Sequence, residues 1–146
     1  IQDEGCKYLS EPLKINSTVT RVVLCGKDIG DEGCMYLAEV LRVNSSITAI
    51  DLSKNSFGEA GFVYLSVALT MNAAVTSVDL GGNGAKDGCK YLPEVLRANY
   101  TITSLHLRGT NLDDGTLEQM SDVLRSNFTL TSISFSVNTN DLATAA

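Results

Sequence analysis

The sequence has no tryptophan, two prolines and a single histidine, and aromatic residues make up only 6% of it. With His106 alone, neither a multi-histidine metal site nor a histidine-based dyad has much to work with. No Gly-rich phosphate loop leads from a strand into a helix, because Leu80-Gly81-Gly82-Asn83-Gly84 carries no Lys-Ser or Lys-Thr pair. The longest apolar runs fall far short of a membrane span, and no signal-peptide pattern opens the chain. Basic residues are outnumbered, 11 Lys and Arg against 17 Asp and Glu, for a net charge of −6. Nucleic acid needs a basic face, so that ligand class is not expected. A basic patch on a protein partner would be attracted, mainly through its association rate. At 44% apolar and 19% charged, the composition is that of a folded protein. The 146 residues amount to one domain. The chain does not start with Met, so a piece of something longer is expected.

What is present is repetition. Val19-Thr20-Arg21-Val22-Val23-Leu24 returns as Ile47-Thr48-Ala49-Ile50-Asp51-Leu52 and Val75-Thr76-Ser77-Val78-Asp79-Leu80. It returns again as Ile102-Thr103-Ser104-Leu105-His106-Leu107 and Leu130-Thr131-Ser132-Ile133-Ser134-Phe135. The starts are 28, 28, 27 and 28 residues apart. Such a period predicts units that bury their apolar faces only against their neighbours. The first half of each unit alternates, with Ile50 and Leu52 on one side and Ala49, Asp51 and Ser53 on the other, which predicts a short strand buried on one face. The second half has helical spacing: Cys34, Leu37 and Leu41 share a side opposite Glu39 and Arg42. Asp31 is placed to cap this helix, and Asn44 to end it in a left-handed conformation. Asn16, Asn72, Asn99 and Asn127 hold the same slot.

Alternating strands and helices predict a right-handed α/β coil. Parallel strands stack about 4.8 Å apart and helices roughly 8–10 Å apart, so the stack must bend. The expected fold is a horseshoe solenoid with parallel strands on the concave side and helices on the convex side.

Ile47 to Ala74 carries leucine-type slots in an L-x-L pattern, Asn55 closing the strand loop, and Gly58-Glu59-Ala60-Gly61 opening the helix. In these residues the chain resembles the leucine-rich repeats of the ribonuclease-inhibitor subtype, over essentially its whole length. Similar repeats occur in ribonuclease inhibitor, NOD-like receptors, Ran GTPase-activating proteins, tropomodulin-like actin-capping proteins, axonemal proteins and some bacterial effectors. The departures are Lys27 and Thr110 in the Asn slot, a unit one residue short around Gly84-Ala85-Lys86-Asp87, and Thr116 in the helix-start slot of Gly5, Gly33, Gly61 and Gly88.

A single domain over 1–146 is expected: a partial unit 1–18, units 19–46, 47–74, 75–101 and 102–129, and a partial unit 130–146. The first partial unit is a helix without its strand. The last is a strand followed by residues 138–142 and little room for a helix. Neither end resembles a polar cap, so further repeats or domains are expected at both.

Several tempting signals fall on template positions. Cys6, Cys34 and Cys89 share one helix slot, whose positions on neighbouring helices are roughly 8–10 Å apart, beyond the ~7 Å reach of a disulfide. They read as buried apolar thiols in a reducing compartment, with Cys25 more accessible on a strand loop. Asn16, Asn44, Asn99 and Asn127 each begin an Asn-x-Ser/Thr glycosylation pattern, which the helix end and the polar turn into the next strand explain without glycosylation. Tyr8, Tyr36, Tyr64 and Tyr91 form a column read as filler between helices, with hydroxyls at the surface. Pro93 and Pro12 fall inside predicted helices, where proline kinks the helix or shifts its start.

The concave face offers three outward columns. They are Arg21, Ala49, Ser77, Ser104 and Ser132; then Val23, Asp51, Asp79, His106 and Ser134; then Cys25, Ser53, Gly81, Arg108 and Ser136. Asp51 and Asp79 lie on adjacent strands about 5 Å apart, so a cationic group is welcome there. Arg21, Asp51, Ser53, Asp79, His106 and Arg108 are the candidate partner-binding residues. The face lacks Trp, Tyr and Phe, the usual anchors of a strong interface. No catalytic constellation, metal or cofactor is expected. The function expected is a cytoplasmic protein–protein interaction scaffold with no membrane or nucleic-acid ligand. The resemblance leaves two alternatives: a regulatory domain of a GTPase-activating or NOD-like-receptor-type protein, or a spacer in a cytoskeletal or axonemal assembly.

Overall fold

The computed structural model describes residues 1–84 and 88–135. Helix α1 (Gln2–Ile15) comes first, without a strand of its own. Strands and helices then alternate: β1 (Arg21–Val23), α2 (Asp31–Val43), β2 (Ala49–Asp51), α3 (Glu59–Met71) and β3 (Ser77–Asp79). A 3₁₀ turn (Gly88–Tyr91) leads into α4 (Leu92–Ala98), followed by β4 (Ser104–Leu107), α5 (Asp114–Leu124) and β5 (Ser132–Phe135). The five strands form one parallel sheet in sequence order. The shortened loop at residues 85–87, the segment 138–142 and Ser136 lie outside the described residues.

Alternation decides which face of the sheet is covered. Val22, Ile50, Val78 and Leu105 stand in register and are buried, as are Leu24, Leu52, Leu80 and Leu107 one turn of the pleat later. Leu37, Leu41, Leu65 and Leu69 of α2 and α3 meet them from the helix layer. The expected curved horseshoe is corrected to a two-layer block of one sheet and one helix layer. The physical reason is length: five strands about 4.8 Å apart span only about 20 Å, too little for an arc to develop.

Each unit is tied to the next by polar side chains. Thr48, Thr76, Thr103 and Thr131 each donate a hydroxyl to the backbone oxygen of the corresponding threonine one unit earlier, at 3.1–3.2 Å. Asn55 donates to Leu24 O and Leu52 O, and Asn83 to Leu52 O and Leu80 O, at 2.9–3.0 Å. In the last full unit Thr110 takes this slot, and its hydroxyl reaches Leu107 O.

The asparagines that end the helices work differently from expectation. Asn16, Asn44, Asn72 and Asn99 are all extended, with φ of −70°, −80°, −75° and −97°, and none is left-handed. Their side chains supply the stop. The amides of Asn44, Asn72, Asn99 and Asn127 donate to Leu13 O, Leu41 O, Leu69 O and Leu96 O, which are last-turn carbonyls of the preceding helix. The amide nitrogens of three of the glycosylation-pattern asparagines, Asn44, Asn99 and Asn127, are therefore engaged with backbone in the folded chain.

Helix starts are also shared between units. Asp31 does not cap α2, whose N-cap is Gly30 with no side-chain cap bond. Its Oδ1 instead accepts the N–H of Gly58 at 2.7 Å and of Gly61 at 2.8 Å, which are the N-cap and third residue of α3. Asp3 does the same for Gly30 at 2.6 Å. A side chain on Gly61 would meet that carboxylate at 2.8 Å, so the approach needs glycine. Asp31→Ala is expected to cost about 1–2 kcal/mol in the unfolding free energy, the usual cost of a lost cap, and Asp31→Asn less, because its amide oxygen still accepts. Denaturant midpoints at constant slope measure both.

The prolines are absorbed simply. Pro93 sits at the first turn of α4, so the helix starts late, after the 3₁₀ turn. Pro12 is exposed inside the last turns of α1.

Candidate binding face on the open side of the sheet

The face of the sheet away from the helices is exposed or half-buried in every strand. The pairing Val23, Asp51, Asp79, His106 and Ser134 runs across all five strands. Asp51, Asp79 and His106 therefore form one row. Arg21 pairs with Ala49 one column away, and Arg108 follows β4 on the other side. Both arginines are exposed. Five of the six sequence candidates, Arg21, Asp51, Asp79, His106 and Arg108, thus share one surface, with the arginines flanking the aspartate pair diagonally.

Local chemistry qualifies each of them. Asp51 Oδ1 accepts the Ser53 N–H at 2.9 Å and the Ser53 hydroxyl at 2.6 Å. Asp79 Oδ1 accepts the Gly81 N–H at 2.9 Å. Both carboxylates brace the turn that leaves their strand, an Asx arrangement. Ser53 is buried and serves Asp51 rather than the surface. In the same column Gly81 has no room for a side chain, since its Cβ would lie 2.6 Å from Arg108 O. Among the described residues neither aspartate is ion-paired. Each retains a negative charge on the surface beside its neighbour.

His106 is engaged at both nitrogens. Nε2 lies 3.0 Å from Ser104 Oγ on its own strand, and Nδ1 lies 3.0 Å from Ser134 Oγ on β5. A neutral imidazole donates at one nitrogen and accepts at the other, and a serine hydroxyl satisfies either. The ring is thereby fixed between β4 and β5, with Asp79 its register neighbour on β3. The arrangement presents a polar surface of set geometry, negative in the middle and positive at two corners.

The cysteine and tyrosine columns fall elsewhere. Cys6, Cys34 and Cys89 are buried under the helices, and Cys25 is partly exposed. Burial pushes the Cys6 and Cys89 thiols up to about 11 and raises Cys34 as well, which keeps them protonated and unreactive. The hydroxyls of Tyr36 and Tyr91 bond Glu32 and Glu59 at 3.2 Å on the helix surface. No group of three or more metal-binding side chains occurs among the described residues. No described helix is long and apolar enough to cross a membrane.

No family model matches the sequence, and no curated protein matches it. Solved structures do. The chain is similar in fold to the leiomodin-1 actin-binding site 2, with a TM-score of 0.81 and 20% identity over 93% of this chain and 82% of that one. It is also similar to the C-terminal domain of tropomodulin from Caenorhabditis elegans, with a TM-score of 0.80 and 13% identity over 97% of this chain and 87% of that one. These findings correct the expected family. The likeness is to the leiomodin and tropomodulin domains, and the assignment to ribonuclease-inhibitor-like leucine-rich repeats does not stand. The slots that carried it have a physical explanation in stacking alone. Leucine pairs report a strand buried on one face, and asparagines report carbonyls of a neighbouring unit that need a donor.

Proposed function

We propose that this chain is a non-catalytic protein-binding domain of a cytoskeletal assembly in the cytoplasm, with actin as its partner. The supporting observation is the likeness of fold over nearly the whole chain to a domain that is itself an actin-binding site. The row of Asp51, Asp79 and His106, with Arg21 and Arg108 at its flanks, is the contact surface in this reading. It is rigid, because hydrogen bonds fix both aspartates and the imidazole before any partner arrives. Its negative centre favours a cationic group on the partner.

Co-sedimentation with actin filaments, together with gel filtration against monomeric actin, tests the reading. Binding to either form is expected. Asp51→Lys with Asp79→Lys is expected to weaken it at least about tenfold. Asp51→Asn with Asp79→Asn, which keeps the acceptors and removes only the charge, is expected to weaken it as well. No binding to either form of actin overturns the actin reading. Binding that the lysine variant leaves unchanged overturns the face and leaves the partner standing.

A further inference from the structure

The loops that return each helix to the next strand form an edge whose chemistry differs from the rest of the chain. Residues 14–20, 42–48, 70–76, 97–103 and 125–131 hold none of the 17 acidic residues, yet they hold Lys14, Arg42, Arg97 and Arg125. The same edge carries one large exposed apolar side chain per unit. Ile15, Val43, Met71, Tyr100 and Phe128 are 88%, 62%, 71%, 74% and 90% exposed. In the first three units this residue stands just before the helix-ending asparagine, and in the last two just after it. Single exposed apolar residues are ordinary. One per unit, aligned along one edge, is a row with an interface composition: Met, Tyr, Phe and Arg are the types enriched in protein contacts. The open face of the sheet has Arg21 and Arg108 but no Met, Tyr or Phe.

The row also contains a recess. A hollow of about 350 Å³ lies between Val43 and Met71, bordered by Arg42, Thr48 and Ala74. No carboxylate lines it. Arg42 is exposed and has no ion-pair partner among the described residues. The other edge cations are steadied from one turn back, Lys14 by Glu11, Arg97 by Glu94 and Arg125 by Asp122. The loops themselves are held by Asn44 and Asn72, which line the recess and donate to Leu13 O and Leu41 O.

We propose that this edge is a second docking surface, for an acidic protein segment that presents apolar side chains in a row. One apolar side chain enters the recess between Val43 and Met71, and a carboxylate beside it meets Arg42. Where the loops enter the strands, the row advances by about one strand spacing, roughly 5 Å, per unit. An amphipathic helix offers an apolar group every ~5.4 Å turn, so a helical segment matches that spacing. A preformed recess on a rigid edge favours a protein side chain over a bilayer, which needs no hollow. The proposal is independent of the actin reading.

The test is selection from a random peptide library displayed on phage, using the whole chain as bait. Peptides rich in Asp or Glu and in apolar residues are expected. The best of them, made synthetically, is expected to bind at least about tenfold more weakly to Met71→Glu with Tyr100→Glu, more weakly to Arg42→Glu, and more weakly still as salt rises. The Asp51→Lys with Asp79→Lys variant is expected to bind it as the parent does. All substituted edge residues are exposed, and matching thermal unfolding confirms that the variants fold. Failure to select any peptide, or peptides that the edge variants hold as tightly as the parent, overturns the proposal. Binding to phosphatidylserine vesicles that the edge variants lose, without any selected peptide, replaces the protein segment by an anionic membrane and overturns it too.

Discussion

Asn99→Ala is expected to remove about 3–5 kcal/mol of stability, on the order of a third to a half of what a domain of this size has. The side chain is 3% exposed and does four jobs at once. Its amide donates to Leu69 O at 2.8 Å and Asn72 O at 3.0 Å, and its oxygen accepts the N–H groups of Thr101 and Ile102 at 2.8 Å. Alanine strands all four backbone groups. Each costs about 1–3 kcal/mol when buried, and water reaching the edge relieves part of the sum. Asn99→Asp separates the two halves of the role. The carboxylate keeps the acceptors toward Thr101 and Ile102 but sets a negative charge against two carbonyl oxygens. Burial and those carbonyls raise its folded pKa above its unfolded value. The folded state then binds the extra proton more readily, so the variant's deficit relative to the parent shrinks as pH falls and returns as pH rises through the raised pKa. Urea unfolding of parent and both variants across pH measures this. A loss below about 1 kcal/mol for Asn99→Ala would remove the helix-end ladder as a main source of stability.

That ladder marks the limit of what the sequence reveals. The period, the strand–helix alternation and the register of the open face were all legible, because a one-sided strand and an amphipathic helix have unmistakable spacings. The row Asp51, Asp79, His106 follows directly from that register. What was not legible is which unit a polar side chain serves. Asn44 reads locally as a left-handed stop and Asp31 as the cap of its own helix. Both reach across to a neighbouring unit, because stacking brings the ends of adjacent helices closer than the next residues in the chain. The repeated Thr48, Thr76 and Thr103 looked like ordinary strand residues for the same reason. The family was misread on this account too: slots filled to satisfy a neighbour look alike in any stack of such units. The role of Ser53 was hidden as well, since only the folded turn shows its hydroxyl turned to Asp51. The exposed edge escaped because its apolar residue changes sides of the asparagine between Met71 and Tyr100.

Phe62→Ala is expected to cost about 3–5 kcal/mol, the range for an aromatic ring removed from a core. Phe62 is fully buried in α3, the middle helix, and its ring lies 5.1 Å from that of Phe57 at a tilt of 56°. Equivalent units place Cys6, Cys34 and Cys89 there, so the ring fills a space that thiols fill elsewhere. The next unit accommodates it with Gly88, whose Cβ would lie 2.6 Å from Phe62 Cδ2 and 2.7 Å from Cγ and Cβ. Gly88→Ala alone is therefore expected to cost about 1–3 kcal/mol by overpacking. Two of those three contacts belong to the ring. In the double variant the ring is gone and the added methyl points into the space it left. The combined loss is expected to fall short of the sum of the single losses by about 1 kcal/mol or more. Denaturant unfolding of the four proteins of this cycle measures the coupling. Strictly additive losses would show that the Phe62 ring is not what excludes a side chain at Gly88, leaving the Phe62 Cβ contact at 2.7 Å to account for it.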